Sequence, residues 1–177
     1  NQNAQREANH LAFGRRDLPE LHFEEAKLLL NFSSDFLETW GNPVEQARRF
    51  TDMHAYQDKT RHRFIHIGPH VSLTGAKADR WVQIRPGSEA LVALSVASVI
   101  RKKQGSHEWL SSYLGNYSPD QVAEATELSA ERITELAEDV LEHSPSLALG
   151  GSSIAAAKGG LALHNAVNIL NTVAGNL

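Results

Sequence analysis

The chain has 177 residues, 41% of them hydrophobic and 21% charged, which is typical of one globular domain that buries a core without disulfides. A formal net charge of −4 gives no electrostatic signature of a nucleic-acid-binding protein, and the lack of cysteine excludes disulfides, iron–sulfur ligation and thiol catalysis within the chain. Every apolar stretch is shorter than the roughly 18 residues that cross a membrane.

The first third of the chain predicts two helices and two strands. Residues 1–14 have the apolar spacing of a marginal helix, and Lys27–Phe32 (KLLLNF) is a short apolar run that predicts a buried strand. Asn42 and Pro43 supply the N-cap and the first residue of a second helix. Arg63–Ile67 then predicts the second strand.

The middle of the chain predicts a short strand and a run of helices. Arg80–Ile84 is the strand, and Glu89–Lys103 is a helix that is apolar on nearly every side and therefore packs under other elements. Gly105 ends that helix as a C-cap. Residues 107–143 have helical patterns in three pieces.

The last part predicts a fourth strand at Ser146–Leu149 and a final helix at Gly160–Ala174. Strands and helices alternate along the chain, so we expect an α/β fold: a three-layer, Rossmann-like parallel sheet of about four strands with helices on both faces. Residues 1–177 form a single domain in this interpretation. Ten side chains are expected to be largely buried: Leu29, Ile65, Ile67, Leu91, Leu94, Val96, Leu147, Leu149, Val167 and Leu170.

Three predicted strands end in small polar clusters. Because the carboxyl ends of parallel strands share one edge, these clusters indicate a nucleotide-type ligand lying across it. The alternative is that α/β loops are simply rich in Gly, Ser, Asp and Pro, and composition alone favours this second interpretation because the chain lacks GxGxxG and P-loop motifs. The clusters are Ser33-Ser34-Asp35, Gly68-Pro69-His70 and Gly150-Gly151-Ser152.

The histidines do not predict a metal site. His62, His66 and His70 recur every four residues, but four residues span about 13 Å of a strand, which is too far for one ion held at about 2 Å. His164 is expected to be a partly buried helical residue rather than a catalyst, and Trp40 a lid over the core.

Two longer stretches carry a family resemblance. Ser72–Ile100, with its TGAKAD turn followed by RPGSEAL, and Pro145–Asn176, with NILNTVAGN, resemble the molybdopterin-dependent oxidoreductases of the dimethyl sulfoxide reductase family. Tyr117–Ala123 resembles the helical segment between them. Ser34–Trp40 (SDFLETW) is similar to one branch, the catalytic-subunit homologue of alternative complex III and related quinone reductase complexes.

The resemblance implies which residues would contact a cofactor. In the family this α/β domain binds one guanosine-diphosphate arm of bis-molybdopterin guanine dinucleotide, and Glu89 stands where the family places its guanine-binding Asp. Family members end the second strand in Asp-Pro-Arg, whereas this chain has Gly68-Pro69-His70 and lacks both charges. Restoring Asp at Gly68 and Arg at His70 together is expected to be tolerated, because both side chains should point into an open crevice. The implied cofactor-binding positions are Ser33, Ser34, Asp35, Gly68, Pro69, His70, Gly87, Ser88, Glu89, Gly150 and Gly151.

The resemblance leaves two functions open. One is a scaffold domain of a molybdopterin oxidoreductase-like subunit in an electron-transfer complex, which has lost its cofactor contacts; the missing charges favour it. The other is an authentic bis-molybdopterin guanine dinucleotide-binding domain of a molybdenum oxidoreductase, which the intact Arg85-Pro86-Gly87 turn favours. Under either, the chain is expected to be a fragment of a larger oxidoreductase and to perform no chemistry alone.

The same resemblance implies the partners. These are the other domains of the full-length chain, which would carry any iron–sulfur clusters, and the iron–sulfur and membrane subunits of a redox complex. Neither nucleic acid nor direct membrane insertion is expected. The expected location is the extracytoplasmic face of the bacterial inner membrane, within a membrane-associated complex.

Overall fold

The computed structural model describes residues 2–55, 62–151 and 159–176, and these residues form one parallel sheet with helices on both faces. No helix within these ranges is long and apolar enough to cross a membrane. The parallel sheet with helices on both faces confirms the predicted α/β architecture. In chain order the elements are α1 (Gln2–Phe13), β1 (Leu28–Phe32), α2 (Pro43–His54), β2 (Arg63–Gly68), β3 (Arg80–Gln83), α3 (Glu89–Gln104), α4 (Ser111–Leu114), α5 (Pro119–Thr126), α6 (Ala130–Glu142), β4 (Ser146–Gly150) and α7 (Gly160–Ala174).

The sheet has the strand order β3-β2-β1-β4, and every neighbouring pair is parallel. After β3 the chain passes through α3–α6 and adds β4 on the far side of β1. The strand order therefore reverses between β1 and β4, and all four carboxyl ends lie at one edge. Such a reversal point is where ligands of open α/β sheets usually bind.

The first face of the sheet is apolar, and mainly aliphatic, along its whole length. Leu28, Leu30 and Phe32 alternate along β1, and they pack with Ile65 and Ile67 of β2 in the larger core cluster. Helices α3, α5, α6 and α7 contribute the other side of this cluster, so the nearly all-apolar sequence of α3 is explained by its position between the sheet and other helices.

The second face is aromatic towards the amino ends of the strands. The ring of Phe36 makes edge-to-face contacts with Phe23, Phe50 and Phe64 at centroid distances of 5.2, 5.5 and 5.7 Å. All four side chains are buried, together with Leu29 of β1. Helix α2 supplies Phe50, so one helix and a cluster of rings cover this part of the face.

The core prediction is confirmed for eight of its ten residues and wrong for two. Leu91 and Leu147 are only partly buried, because Leu91 packs at the margin of the aliphatic cluster and Leu147 lines a cavity beside β4. The N-cap prediction needs a smaller correction. Helix α2 begins at Pro43 as expected, but the Asn42 side chain donates to Glu45 Oε2 (3.1 Å) instead of capping the backbone.

The outer border of the sheet at β4 is closed by two asparagines. The Asn171 amide accepts from Ala148 N and donates to Ala148 O, both at 2.9 Å. Asn176 Oδ1 accepts from Ser146 N at 3.3 Å, and its Nδ2 donates to Ser146 Oγ at 2.9 Å. These side chains bond three backbone groups at the border of β4, the N–H of Ser146 and both the N–H and the C=O of Ala148.

Candidate functional site at the carboxyl edge of the sheet

The structure brings all eleven predicted contact residues to the carboxyl edge of the sheet. They lie at the ends of β1, β2 and β4 and in the turn that leads into α3. Asp35 and Pro69 are half-buried and His70 and Gly87 are exposed, whereas the other seven are buried. Ser152, which completed the third polar cluster, lies outside the described residues. The role of these positions as cofactor contacts stays a prediction.

A strained turn after β1 connects this strand to α3. Ser33 has a φ of 56°, a left-handed conformation that residues other than glycine rarely adopt. Its backbone N–H donates to Ile67 O (3.0 Å), and its hydroxyl donates to Glu89 Oε1 (3.0 Å). Glu89 is the first residue of α3 and only 5% exposed. The carboxylate expected to bind guanine is therefore enclosed and hydrogen-bonded to the chain itself.

A second polar group lies beside this turn on the second face of the sheet. The Asn31 amide holds the Ser34 backbone at both ends: Oδ1 accepts from Ser34 N (3.0 Å), and Nδ2 donates to Ser34 O (2.7 Å). Asn31 Nδ2 also lies 3.0 Å from Nδ1 of His66, its register partner on β2. Because an amide nitrogen only donates, His66 Nδ1 must accept, and the ring is neutral with its proton on Nε2.

Burial favours this neutral form of His66. The ring is 2% exposed, and desolvation lowers the pKa of His66 below its ordinary value of 6.5, although a backbone hydrogen bond to His70 and the charge of Asp35 act in the opposite direction. The neighbouring Ser34 hydroxyl is fully buried and has no hydrogen-bond partner among the described residues. The carboxyl edge thus rests on buried polar groups that bond mainly to one another.

Two glycines allow the backbone to approach these groups. A Cβ atom at Gly75 would lie 2.9 Å from His66 Cδ2, so the Gly75 backbone packs directly on the imidazole. A Cβ atom at Gly68 would lie 2.7 Å from Ser33 Oγ and 3.2 Å from His66 Nε2. Gly68 is buried in β2, so the expectation that Asp would be tolerated there is wrong: the position faces Ser33 and not an open crevice.

Two tryptophans complete the edge. Trp81 Nε1 donates to Gly68 O (3.0 Å), and Trp40 lies against Gly151, where a Cβ atom would be 2.5 Å from the indole nitrogen. Trp40 also packs on the aromatic cluster, which agrees with its predicted role as a lid. It covers the end of β4 next to the reversal point of the sheet.

A separate cavity of about 450 Å³ lies beside β4, between α1, the segment that follows α1, and α7. His164 lines it and is 7% exposed, more buried than predicted, and this burial lowers the pKa of His164 to about 4. The Asn9 amide is already engaged, donating to Asp17 O (2.8 Å) and accepting from Asn168 Nδ2 (3.0 Å). Of the eleven predicted residues, only Gly150 lines this cavity.

The sequence interpretation missed the part that Asn31 and His66 play. Asn31 was counted within an apolar strand, and His66 was considered only as a metal ligand. The available signal was the presence of a polar residue in each of two otherwise apolar strands, close to their carboxyl ends. Recognising the pair also requires the strand register, which joins residues 35 positions apart.

Comparison with known proteins gives two curated relatives and a structural neighbour. The chain is 27% identical over 159 residues to the molybdopterin-binding-like subunit of the menaquinone reductase of Nitratidesulfovibrio vulgaris, covering 84% of this chain and 23% of that protein. It is 26% identical over 86 residues to the molybdopterin-containing subunit of the arsenate respiratory reductase of a Shewanella species, covering 43% of this chain and 8% of that protein. No family model matches the chain.

The fold is similar to that of acetylene hydratase from Pelobacter acetylenicus, with a TM-score of 0.75 and 20% identity over 99% of this chain and 24% of the hydratase. The chain therefore spans about a quarter of the length of that structure and of the first curated relative. The two curated relatives confirm the resemblance to molybdopterin oxidoreductases that was inferred from the sequence, and the structural match confirms the fold.

Proposed function

We propose that this chain, a molybdopterin oxidoreductase-like domain, serves as a scaffold in a subunit of a redox complex and binds no guanosine phosphate at its carboxyl edge. One observation carries the proposal. The Glu89 carboxylate is buried and accepts a hydrogen bond from Ser33, so it is not presented to a ligand. A guanine base would need that carboxylate as a hydrogen-bond acceptor. The Ser33 turn would have to move before the base could reach the Glu89 carboxylate.

The rest of the edge supports the same function. Gly68 stands where the family resemblance implies a carboxylate, and the closeness of Ser33 leaves no room for a longer side chain. The His66 imidazole lies beneath the Gly75 backbone, so this part of the edge is filled by the chain itself. The residues present therefore do not fit the guanosine-diphosphate arm, and we assign the domain no step of cofactor chemistry.

The first curated relative supports a redox complex as the setting of this domain. That protein is named a molybdopterin-binding-like subunit of menaquinone reductase, and by analogy we propose that the present domain belongs to a subunit of a quinone reductase complex. The iron–sulfur and membrane subunits that the sequence resemblance implies are its proposed partners. The proposed location is the extracytoplasmic face of the bacterial inner membrane. In such a complex the domain would contribute a rigid α/β body and its outer surfaces.

One observation favours the alternative, an authentic cofactor-binding domain. Gly87 is exposed, has a φ of +84°, and has no atom within 4 Å of the position where a Cβ would lie. The backbone of this turn is therefore open to an approaching ligand. A phosphate group could bind there without any change in Ser33 or Glu89.

Calorimetric titration of the folded chain with GDP separates the two functions, with ADP as a control for the base. The scaffold function predicts no saturable heat from either nucleotide while circular dichroism reports an intact fold. Saturable binding of GDP but not ADP, lost in Glu89→Ala, would establish the alternative. GDP binding that survives Glu89→Ala would also exclude the scaffold function and would move the site to the Gly87 turn.

A further inference from the structure

We infer that Asn31, Ser34 and His66 form an acid-sensitive latch, in which protonation of the His66 ring reverses the Asn31 amide and releases the turn that follows β1. The latch consists of contacts within this chain, so it holds under either function discussed above. It assigns to three buried polar residues a conformational role that packing alone does not require.

The first step is that the amide orientation is fixed by the Ser34 backbone. Asn31 Oδ1 faces the Ser34 N–H and Nδ2 faces the Ser34 carbonyl, at 3.0 and 2.7 Å. This orientation leaves the second Nδ2 hydrogen for His66 Nδ1 at 3.0 Å. All three contacts are satisfied only while Nδ1 carries no proton.

The second step is a conflict between two sets of hydrogen bonds. A proton on His66 Nδ1 would face the N–H of Asn31, donor against donor, in a site that is 2% exposed. Reversing the Asn31 amide would offer Oδ1 to the imidazolium, but it would then place donor against donor and acceptor against acceptor at Ser34. The amide can therefore serve the protonated ring or the Ser34 backbone, but not both.

The third step connects the amide to the turn. Ser33 holds a φ of 56° between the Ser34 contacts and its hydrogen bond to Glu89. Left-handed conformations of this kind persist only when the surroundings fix them. Once Asn31 no longer holds Ser34, Ser33 can relax, and the contact that encloses the Glu89 carboxylate is lost with it.

The charges around the ring set the direction of the response. The nearby Asp35 carboxylate favours protonation of His66, and a charge on His70 opposes it. Glu38, from the loop after β1, accepts from Thr74 N (3.3 Å) in the segment that packs on the ring, and Glu89 lies beyond Ser33. Because burial outweighs these effects and lowers the pKa of His66 below 6.5, the latch is closed at neutral pH and opens in acid.

Amide hydrogen exchange at Ser34 tests the latch directly. Its N–H is protected by Asn31 Oδ1, so the protection factor, corrected for the intrinsic exchange rate at each pH, reports the closed state. We expect this factor to be constant above about pH 6.5, the ordinary pKa of a histidine ring freed by opening, and to fall by about tenfold per pH unit from there down to the lowered pKa of His66 in the closed state, because one proton is taken up for each opening. A protection factor independent of pH would overturn the inference.

Two variants provide the controls. In His66→Asn, the new Oδ1 can accept from Asn31 without titrating, so Ser34 protection should become independent of pH. In His164→Asn, a second buried histidine is removed from the cavity beside β4, outside the hydrogen bonds of the latch, and the fall at Ser34 should persist. The same fall in His66→Asn, or its loss in His164→Asn, would overturn the latch.

Nitrogen chemical shifts of the imidazole in the unmodified protein keep the test decisive if His66→Asn does not fold. The latch requires the Nε2–H tautomer at neutral pH and a ring titration that coincides with the loss of Ser34 protection. A Nδ1–H tautomer at neutral pH, or a ring that titrates without a change at Ser34, would contradict it.

Discussion

The two faces of the sheet bury their strands in different ways. On the first face, apolar and mainly aliphatic side chains continue from the amino to the carboxyl ends of the strands and meet four helices. On the second face, the rings around Phe36 cover the amino half, and the polar residues Asn31 and His66 occupy the carboxyl half. The first face therefore supplies continuous packing, whereas the second combines packing with hydrogen bonds that hold the turn after β1.

This difference concentrates sensitivity on one side of the molecule. Aliphatic packing is shared among many side chains. Each one can therefore be substituted by another apolar residue of similar volume with a small loss of stability. The rings around Phe36 and the amide of Asn31 each satisfy several partners at once. The second face should therefore respond more strongly to single substitutions.

The largest expected effect is that of Phe36→Ala. The substitution removes a fully buried ring that contacts three others and should reduce the free energy of unfolding by about 4 kcal/mol. Leu30→Ala on the aliphatic face should cost about 3 kcal/mol, and Phe36→Leu less than about 1.5 kcal/mol. Urea unfolding measures all three, and a larger loss for Leu30→Ala than for Phe36→Ala would reverse the comparison.

The second effect concerns His164, a buried titratable residue of α7, one of the helices that pack on the aliphatic face. Burial lowers its pKa from 6.5 to about 4, so the unfolded chain takes up a proton first as the pH falls. Stability should therefore decline from about pH 6.5 to about pH 4, by about 3 kcal/mol in total for this residue. His164→Leu should remove that part of the decline, and an identical pH dependence in both proteins would contradict the assignment.

The third effect tests the border of the sheet. Asn171→Ala leaves the buried N–H and C=O of Ala148 without partners and should cost about 2 kcal/mol. Asn116→Ala is the matched control, because its exposed amide donates only to neighbouring helical carbonyls and its loss should cost less than about 0.5 kcal/mol. Equal stabilities of the two variants would show that Ala148 does not depend on Asn171.

The smallest effect concerns the Ser33 turn. Ser33→Ala and Ser33→Gly both lose the hydrogen bond to Glu89, but only alanine keeps the strain of the positive φ. We expect the glycine variant to be more stable than the alanine variant by about 1 kcal/mol. Thermal unfolding of the pair measures this difference, and an alanine variant as stable as the glycine variant would show that the turn has already relaxed.

Much of the fold could be predicted from local patterns in the sequence. Apolar runs such as Lys27–Phe32 located the strands to within one residue, and Gly105 ended α3 as expected, with a φ of 62°. Parallel alternation with helices then placed the polar clusters at one edge without knowledge of any contact. These features depend on residues close in the sequence, where periodicity and capping act directly.

The details of the site depend on distant residues and could not be predicted in the same way. The enclosure of Glu89 by Ser33 joins positions 56 residues apart, and Gly68 was expected to border open space because the Ser33 side chain could not be placed. Phe36 was known only as part of a family-like stretch, and its role at the centre of the aromatic cluster appears once α2 is packed on the sheet. Such contacts follow from strand register and loop geometry.

The two asparagines along β4 also determine what this border can do in solution. A strand with free N–H and C=O groups is a template for pairing with another chain, and proteins avoid aggregation by covering such strands. A carboxamide carries the same donor and acceptor as a peptide group, so Asn171 takes the place of one peptide unit of an absent neighbouring strand. Helix α7, which carries Asn171 and packs on the aliphatic face, thereby also protects the domain from intermolecular strand addition at β4.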